Sequence, residues 1–164
     1  MKTAKDIMTR EVYAVTETTS VETLSKLLRD HAISGVPVLD RHGFPVGVVS
    51  IYDLVYQGGL ESDPDLSSSQ YWNSGGPLPR GFHELAANRS HLTVRDIMTP
   101  AVYAVDEEAP LSVVCEYFLQ GQIHRVLVTK DRELTGIITS TDLITELSEL
   151  LTPKAKVSVR LLSL

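Results

Sequence analysis

The sequence carries one cysteine, Cys115, so no internal disulfide can form and a disulfide-held scaffold is excluded. No stretch approaches the roughly 18 apolar residues a membrane span needs, so none is expected. Behind Met1-Lys2-Thr3-Ala4-Lys5-Asp6-Ile7-Met8 there is no apolar run, so the start does not read as a secretory signal. A cytoplasmic protein is therefore expected. Basic runs are missing too: 15 Lys+Arg stand against 21 Asp+Glu, a formal net charge of −6. That balance argues against a binder of nucleic-acid backbones but leaves a small phosphate ligand open. Aromatic residues are sparse, at 6%.

The motifs of catalysis are absent as well. The five histidines (31, 42, 83, 91, 124) show no metal-ligating helical spacing, and His83-Glu84 lacks the second histidine of a zinc hydrolase. There is no Gly-x-Ser-x-Gly elbow, no Walker loop and no dinucleotide fingerprint. Cys115 falls on an apolar helical face, where a buried thiol is the ordinary outcome. The expectation is a protein that is not an enzyme and holds no resident metal. With 43% hydrophobic and 22% charged residues, it has the composition of a folded globule.

What the chain does have is a repeat. Residues 5–15 lie over residues 95–105 at an offset of 90, with eight of eleven positions identical, including Asp-Ile-Met-Thr and Val-Tyr-Ala-Val. Farther on, residues 47–54 lie over 136–143 at an offset of 89, so one residue has been lost between. The turn around Arg41-His42-Gly43 or Asp131-Arg132-Glu133 is where that loss is expected. Ordinary composition would give about one match in eleven by chance.

Each copy reads as β-α-β-β-α. An extended piece, Val12 to Val15, leads to a helix with Val21, Leu24, Leu27 and Leu28 on one face, opened by a Thr19–Glu22 capping box. The second copy starts this helix at Pro110 and buries Leu111, Val114, Phe118 and Leu119. Two hairpins follow, Val36 to Leu39 with Val46 to Val49, and Val126 to Thr129 with Leu134 to Ile138. A further helix begins near Ser50 and near Thr139.

Between the copies, 13 of the 25 residues from Gly58 to Phe82 are Gly, Ser or Pro, which is linker chemistry. Tyr71-Trp72 in its middle either pins the loop to the surface or contacts a partner. After Pro153, Val157-Ser158-Val159-Arg160-Leu161 alternates like an edge strand. The expected organisation is one repeat over 1–57, a linker or insertion over 58–91, a second repeat over 92–152 and a tail over 153–164.

With Asp-Ile-Met-Thr at 6–9 and 96–99, Ile33-Ser34-Gly35-Val36-Pro37-Val38-Leu39-Asp40, and Gly-x-x-Ser/Thr-x-x-Asp closing both copies, the chain resembles a tandem pair of cystathionine-β-synthase (CBS) domains, a Bateman module. The resemblance implies an α+β fold of two repeats about a pseudo-twofold axis, with two clefts between them. It further implies a regulatory module, usually a homodimer, that binds adenosyl ligands: AMP, ADP or ATP, with S-adenosylmethionine, NAD or a cyclic dinucleotide as further members of the class.

Ser50-x-x-Asp53 and Thr139-x-x-Asp142 sit where a strand gives way to a helix. There the hydroxyl can meet a phosphate and the carboxylate can accept from a ribose diol. The same spacing also makes a capping box, and the two roles are compatible. Ile123-His124-Arg125 is similar to a segment of AMP-activated kinase gamma subunits in which the basic pair faces phosphates, so His124 and Arg125 are candidate phosphate ligands. The first copy has Ser34-Gly35 there instead. The resemblance implies that Asp53 and Arg125 share a cleft, and that the Asp142 cleft binds a less charged ligand or binds weakly. It places Val12, Ala14, Val36, Pro37, Val102, Ala104, Val126 and Leu127 at the adenine slot, where a role as core residues is the competing reading. Tyr13 and Tyr103 are expected to pack in the core rather than stack on a base. The alternative to a ligand sensor is a dimerisation or interaction module with degenerate clefts.

Overall fold

The computed structural model describes residues 2–56, 91–121 and 123–151. The 58–91 linker with Tyr71-Trp72, apart from its last residue, and the tail with its expected edge strand lie outside the described residues. In chain order the elements are α1 (Ala4–Ile7), β1 (Val15–Thr16), α2 (Val21–Asp30), β2 (Gly35–Leu39), β3 (Pro45–Ser50) and α3 (Ile51–Tyr56), then α4 (Val94–Ile97), β4 (Ala104–Asp106), α5 (Leu111–Gly121), β5 (Arg125–Lys130), β6 (Glu133–Thr139) and α6 (Ser140–Leu151). They make an α+β protein of two like halves. Each half holds a three-stranded sheet, β1-β2-β3 or β4-β5-β6, whose first pair is parallel and second antiparallel.

The hairpins form where alternation and turn signals place them. Val38 stands opposite Gly47 and Val128 opposite Gly136, and both ladders shift register just after those pairs. The lost residue is in the turn. Four residues separate Thr129 from its partner Leu134, against five between Leu39 and Pro45. The longer turn closes on Asp40, whose carboxylate accepts from the N–H groups of His42 (2.8 Å) and Phe44 (3.0 Å), with Gly43 at φ 85°. The shorter one uses Asp131 and Arg132 at φ 49° and 73°, the doubly left-handed geometry of a two-residue hairpin turn. Its Arg132 guanidinium lies 4.7 Å from the Phe44 ring centroid, so the two turns meet across the halves.

Helix α2 buries Val21, Leu24 and Leu28 completely, with Leu27 packed beside them. Its cap is Ser20, whose hydroxyl accepts from the Thr23 N–H at 3.1 Å, rather than Thr19 paired with Glu22. It ends as the chain turns through Ala32 at φ 52°, with Ile33 N–H bonded to Leu28 O and Ala32 N–H to Arg29 O. In α5, Val114 is fully buried and Phe118 partly, but Leu119 is 81% exposed. The apolar stripe of α5 is thus narrower than its sequence implies.

The Asp-Ile-Met-Thr segments do something the repeat pattern did not disclose. Each forms a single helical turn, α1 or α4, and docks on the other half. Ala4 and Lys5 donate to the carbonyls of Ala109 and Glu107, both at 2.9 Å; Val94 and Arg95 donate to those of Thr19 and Glu17, at 2.8 and 2.9 Å. Thr9 then exchanges two backbone bonds with Ile137, and Thr99 two with Val48. All these pairs are related by the 90/89 offset, which makes the axis between the halves a pseudo-twofold. Accordingly Val94 and Ile97 belong to the core of the first half, and Ala4 and Met8 to that of the second. Each half lacks part of its own core without the other.

Each of these straps is braced by an acid. The Asp6 carboxylate accepts from Thr3 N–H (2.7 Å) and Oγ1 (3.1 Å), and Asp96 from Thr93 N–H and Oγ1 (both 2.8 Å). Those backbone hydrogen bonds, then the hydroxyl ones, hold both carboxyl groups below their ordinary pKa. Lys2 adds an ion pair to Glu146 on α6 at 2.6 Å.

Candidate functional site

A strand that ends against a helix start leaves the first backbone N–H groups of the helix without intrahelical partners. At β3–α3 the sequence supplies Ser50 and Asp53; at β6–α6 it supplies Thr139 and Asp142. The Asp53 Oδ2 atom accepts from Ser50 N–H (2.7 Å) and Oγ (2.8 Å), and Asp142 Oδ2 accepts from Thr139 N–H and Oγ1, both at 2.7 Å. Both pairs are therefore helix-capping pairs in this structure. A carboxylate offers about four acceptor positions, so a cap of this kind leaves capacity for a sugar hydroxyl. The two pairs differ in burial: Ser50 and Asp53 are 0% and 1% exposed, whereas Thr139 and Asp142 are half-buried.

Arg125 opens β5 with its Cα opposite Thr139. Its side chain crosses to the other half, where Nη2 donates to Ser34 Oγ at 2.9 Å. Ser34 in turn precedes Gly35, the register partner of Ser50, and its carbonyl accepts from Ile51 N–H at 2.9 Å. The guanidinium thus stands between the two capping pairs. Burial pushes its pKa below the ordinary guanidinium value, the mark of a cation partly stripped of water. His124 is exposed, and its carbonyl accepts from Ser140 N–H at 3.0 Å. Ser34 was seen in the sequence as the first copy's match to this segment, but it was not named as a candidate ligand-binding residue. Its alignment with His124 across the repeat was the signal that it faces the same place.

The apolar candidates divide. Val36 and Val126 are each 1% exposed inside the two cores, and Pro37 is buried beside Val36. Val102 and Ala104 are partly buried and pack, with Ile137 and Leu134, on Val48 and Leu127 between the halves. Val12 and Ala14, their counterparts, are likewise half-buried. Tyr13 and Tyr103 are 38% and 47% exposed, so neither is packed in the core as expected; Tyr13 instead stacks on His31, ring centroids 3.9 Å apart. Cys115 is half-buried and free. Among the described residues no group of three or more His, Cys, Asp or Glu is placed to hold a metal ion, and no helix is long and apolar enough to cross a membrane.

A sequence model of the CBS domain matches residues 4–57 and 94–149. The CBS domain-containing protein CBSX1, chloroplastic, of Arabidopsis thaliana is 30% identical over 142 residues; the match covers 84% of this chain but 60% of that protein. The crystal structure of CBSX2 of the same plant in complex with AMP superposes with a TM-score of 0.68 at 26% identity, covering 92% of this chain and 99% of that one. L-aspartate semialdehyde sulfurtransferase of Methanocaldococcus jannaschii is 26% identical over 140 residues, which cover 85% of this chain and 22% of that enzyme. This chain therefore spans only part of the length of some of the proteins it matches.

Proposed function

Since the chain belongs to the CBS domain family, as a tandem pair, we propose that it is a regulatory module that binds an adenine nucleotide or another adenosyl ligand between its halves and relays occupancy to a partner protein. The observation that carries this reading is the arrangement around Arg125. A partly desolvated cation spans from the Thr139–Asp142 pair to Ser34 of the other half, joining the two halves at the place where hydroxyl and carboxylate are offered. Phosphate would engage Arg125, Ser34 and the hydroxyls of Thr139 or Ser50, with His124 at the rim. The ribose would meet Asp142 or Asp53. Val12, Ala14, Val102 and Ala104 would flank the base, backed by Val36, Pro37 and Val126. The AMP complex of CBSX2 supports the ligand class. A ligand that contacts both halves would favour one angle between them, and only unequal affinity for the two arrangements would make that a signal.

We read the module as non-catalytic and cytoplasmic, binding neither nucleic acid nor membrane and needing no obligatory cofactor. Thermal unfolding against AMP, ADP, ATP, S-adenosylmethionine and NAD tests the proposal. At a concentration 100 times the dissociation constant, binding to the native state alone adds roughly 2.7 kcal/mol, a shift of several degrees. A selective shift supports the sensor, and no shift with any of them overturns it.

A second reading, an interaction module with degenerate clefts, is favoured by the Ser50–Asp53 pair, which is buried and caps α3 through Asp53 Oδ2. Both readings include a homodimer. Ile144, Leu147 and Leu151 line one side of α6 at 65%, 52% and 67% exposure, with Leu150 at 74% beside them, a stripe that a second copy would cover. Leu147→Glu is expected to shift the sedimentation profile from dimer to monomer without unfolding the chain. An unchanged profile would place the dimer contact elsewhere.

A further inference from the structure

The chain holds three methionines, at 1, 8 and 98, and the two described ones occupy matching places on the two straps. Each is the C-cap of a single helical turn, Met8 after α1 and Met98 after α4, and each precedes the threonine that exchanges two backbone bonds with the other half. Their surroundings differ. Met8 is 8% exposed inside the core of the second half, whereas Met98 is only half-buried at the edge of the first. A thioether has no proton to lose, so access of the oxidant decides its reactivity. We propose that Met98 is a site of reversible oxidation by a peroxide, and that its sulfoxide loosens the joint between the second strap and β3.

In the step itself the sulfur lone pair displaces hydroxide from hydrogen peroxide. The O–O bond breaks, an S–O bond forms, and the proton on the transferred oxygen passes to the hydroxide, giving sulfoxide and water. The seam that receives the new oxygen is tight. Gly47 in β3 leaves the space that the Met98 side chain fills, since a Cβ there would lie 3.3 Å from Sδ and 3.5 Å from Cε. The same point is 2.7 Å from the Thr99 carbonyl oxygen, an acceptor already engaged with Val48 N–H at 3.0 Å. A sulfoxide oxygen aimed at the strand therefore meets backbone and a second acceptor; aimed inward, it meets the apolar core to which Val94 and Ile97 belong. Turning out to water solvates it, and that takes the side chain off the seam. Either way the strap that holds Val94 and Ile97 in the first core is loosened, while the first strap, with the better buried Met8, stays docked. Peroxide thus unfastens one of two equivalent joints and frees the halves to move.

Treating the full chain with dilute hydrogen peroxide and mapping its peptides by mass spectrometry tests this. Met98 is expected to gain one oxygen several-fold faster than Met8. The protein so oxidised is expected to melt roughly 2–12 °C lower, the effect of one unsatisfied buried polar group in a chain of this size. Amide hydrogen exchange at Val48 and Thr99 is expected to quicken, and incubation with both types of methionine sulfoxide reductase to restore the unaltered behaviour. Met98→Leu, close in volume, is expected to fold with little loss and to keep its melting temperature after the same treatment, which separates the effect from oxidation of Cys115. Oxidation of Met8 as fast as that of Met98, or no oxidation of Met98 short of unfolding, overturns the proposal. So does a Met98 sulfoxide protein with an unchanged melting temperature, or an equal fall in the Met98→Leu variant.

Discussion

Arg125→Ala weakens AMP binding by roughly 10- to 150-fold and leaves adenosine binding nearly unchanged, the range that follows from one hydrogen bond to a charged group at about 1.5–3 kcal/mol. The difference between the two ligands is the informative quantity. In the unliganded protein the guanidinium donates to the Ser34 hydroxyl at 2.9 Å and burial lowers its pKa. A guanidinium keeps its charge even so, and its planar fork matches two phosphate oxygens. A dianionic phosphate is a far better acceptor than a neutral hydroxyl, so the cation gains on binding. Arg125→Lys, which retains charge without the fork, falls between the two. The measurement is calorimetric titration at fixed ionic strength, with the melting curve of each variant recorded separately, since the Arg125–Ser34 bond also joins the halves. Equal losses for AMP and adenosine would mean that Arg125 shapes the cleft and does not hold phosphate.

The hairpins, the sheets and the place of the lost residue were legible in the sequence because strand alternation and turn chemistry are local. Asp40, Gly43, Asp131 and Arg132 carry the turns within a few residues of the strands they join. The docking of the straps was not legible. Asp-Ile-Met-Thr is one helical turn long, too short for periodicity to register. Because its two copies are nearly identical, either could dock on either half; the assembled chain decides, through Thr9 with Ile137 and Thr99 with Val48. The capping pairs were legible as pairs, but their unequal burial was not. That difference comes from what Ile51 and Tyr52 pack into compared with Ser140 and Thr141. Leu119 and the two tyrosines show the same limit from the other side. They were expected to pack inward, yet among the described residues they stay substantially exposed.

Gly47→Ala is expected to lower stability by about 2–3 kcal/mol, the upper part of the range for forcing extra volume into a packed site. For a chain of this size that is a melting temperature lower by roughly 4–12 °C. Gly47 has ordinary strand geometry, so alanine costs nothing in backbone conformation there. The obstacle is contact: a Cβ would lie 2.7 Å from the Thr99 carbonyl oxygen and 3.3 Å from Met98 Sδ. The Thr99 oxygen is fixed, because it accepts from Val48 N–H at 3.0 Å while Thr99 N–H donates back at 2.9 Å. Relief therefore requires lifting the strap that carries Val94 and Ile97 out of the other half's core. Gly136, the counterpart in β6, faces the other strap. A Cβ there meets Met8 along its length, Sδ first, then Cγ at 2.8 Å and Cβ at 3.0 Å, and Met8 belongs to the second half's core, so Gly136→Ala is expected to cost about 1–3 kcal/mol. Thermal unfolding of the two variants reads the two equivalent joints separately. A Gly47→Ala protein that melts with the unaltered chain would mean that the strap of the second half does not close on β3, and with it the exchange that holds the halves together would fall.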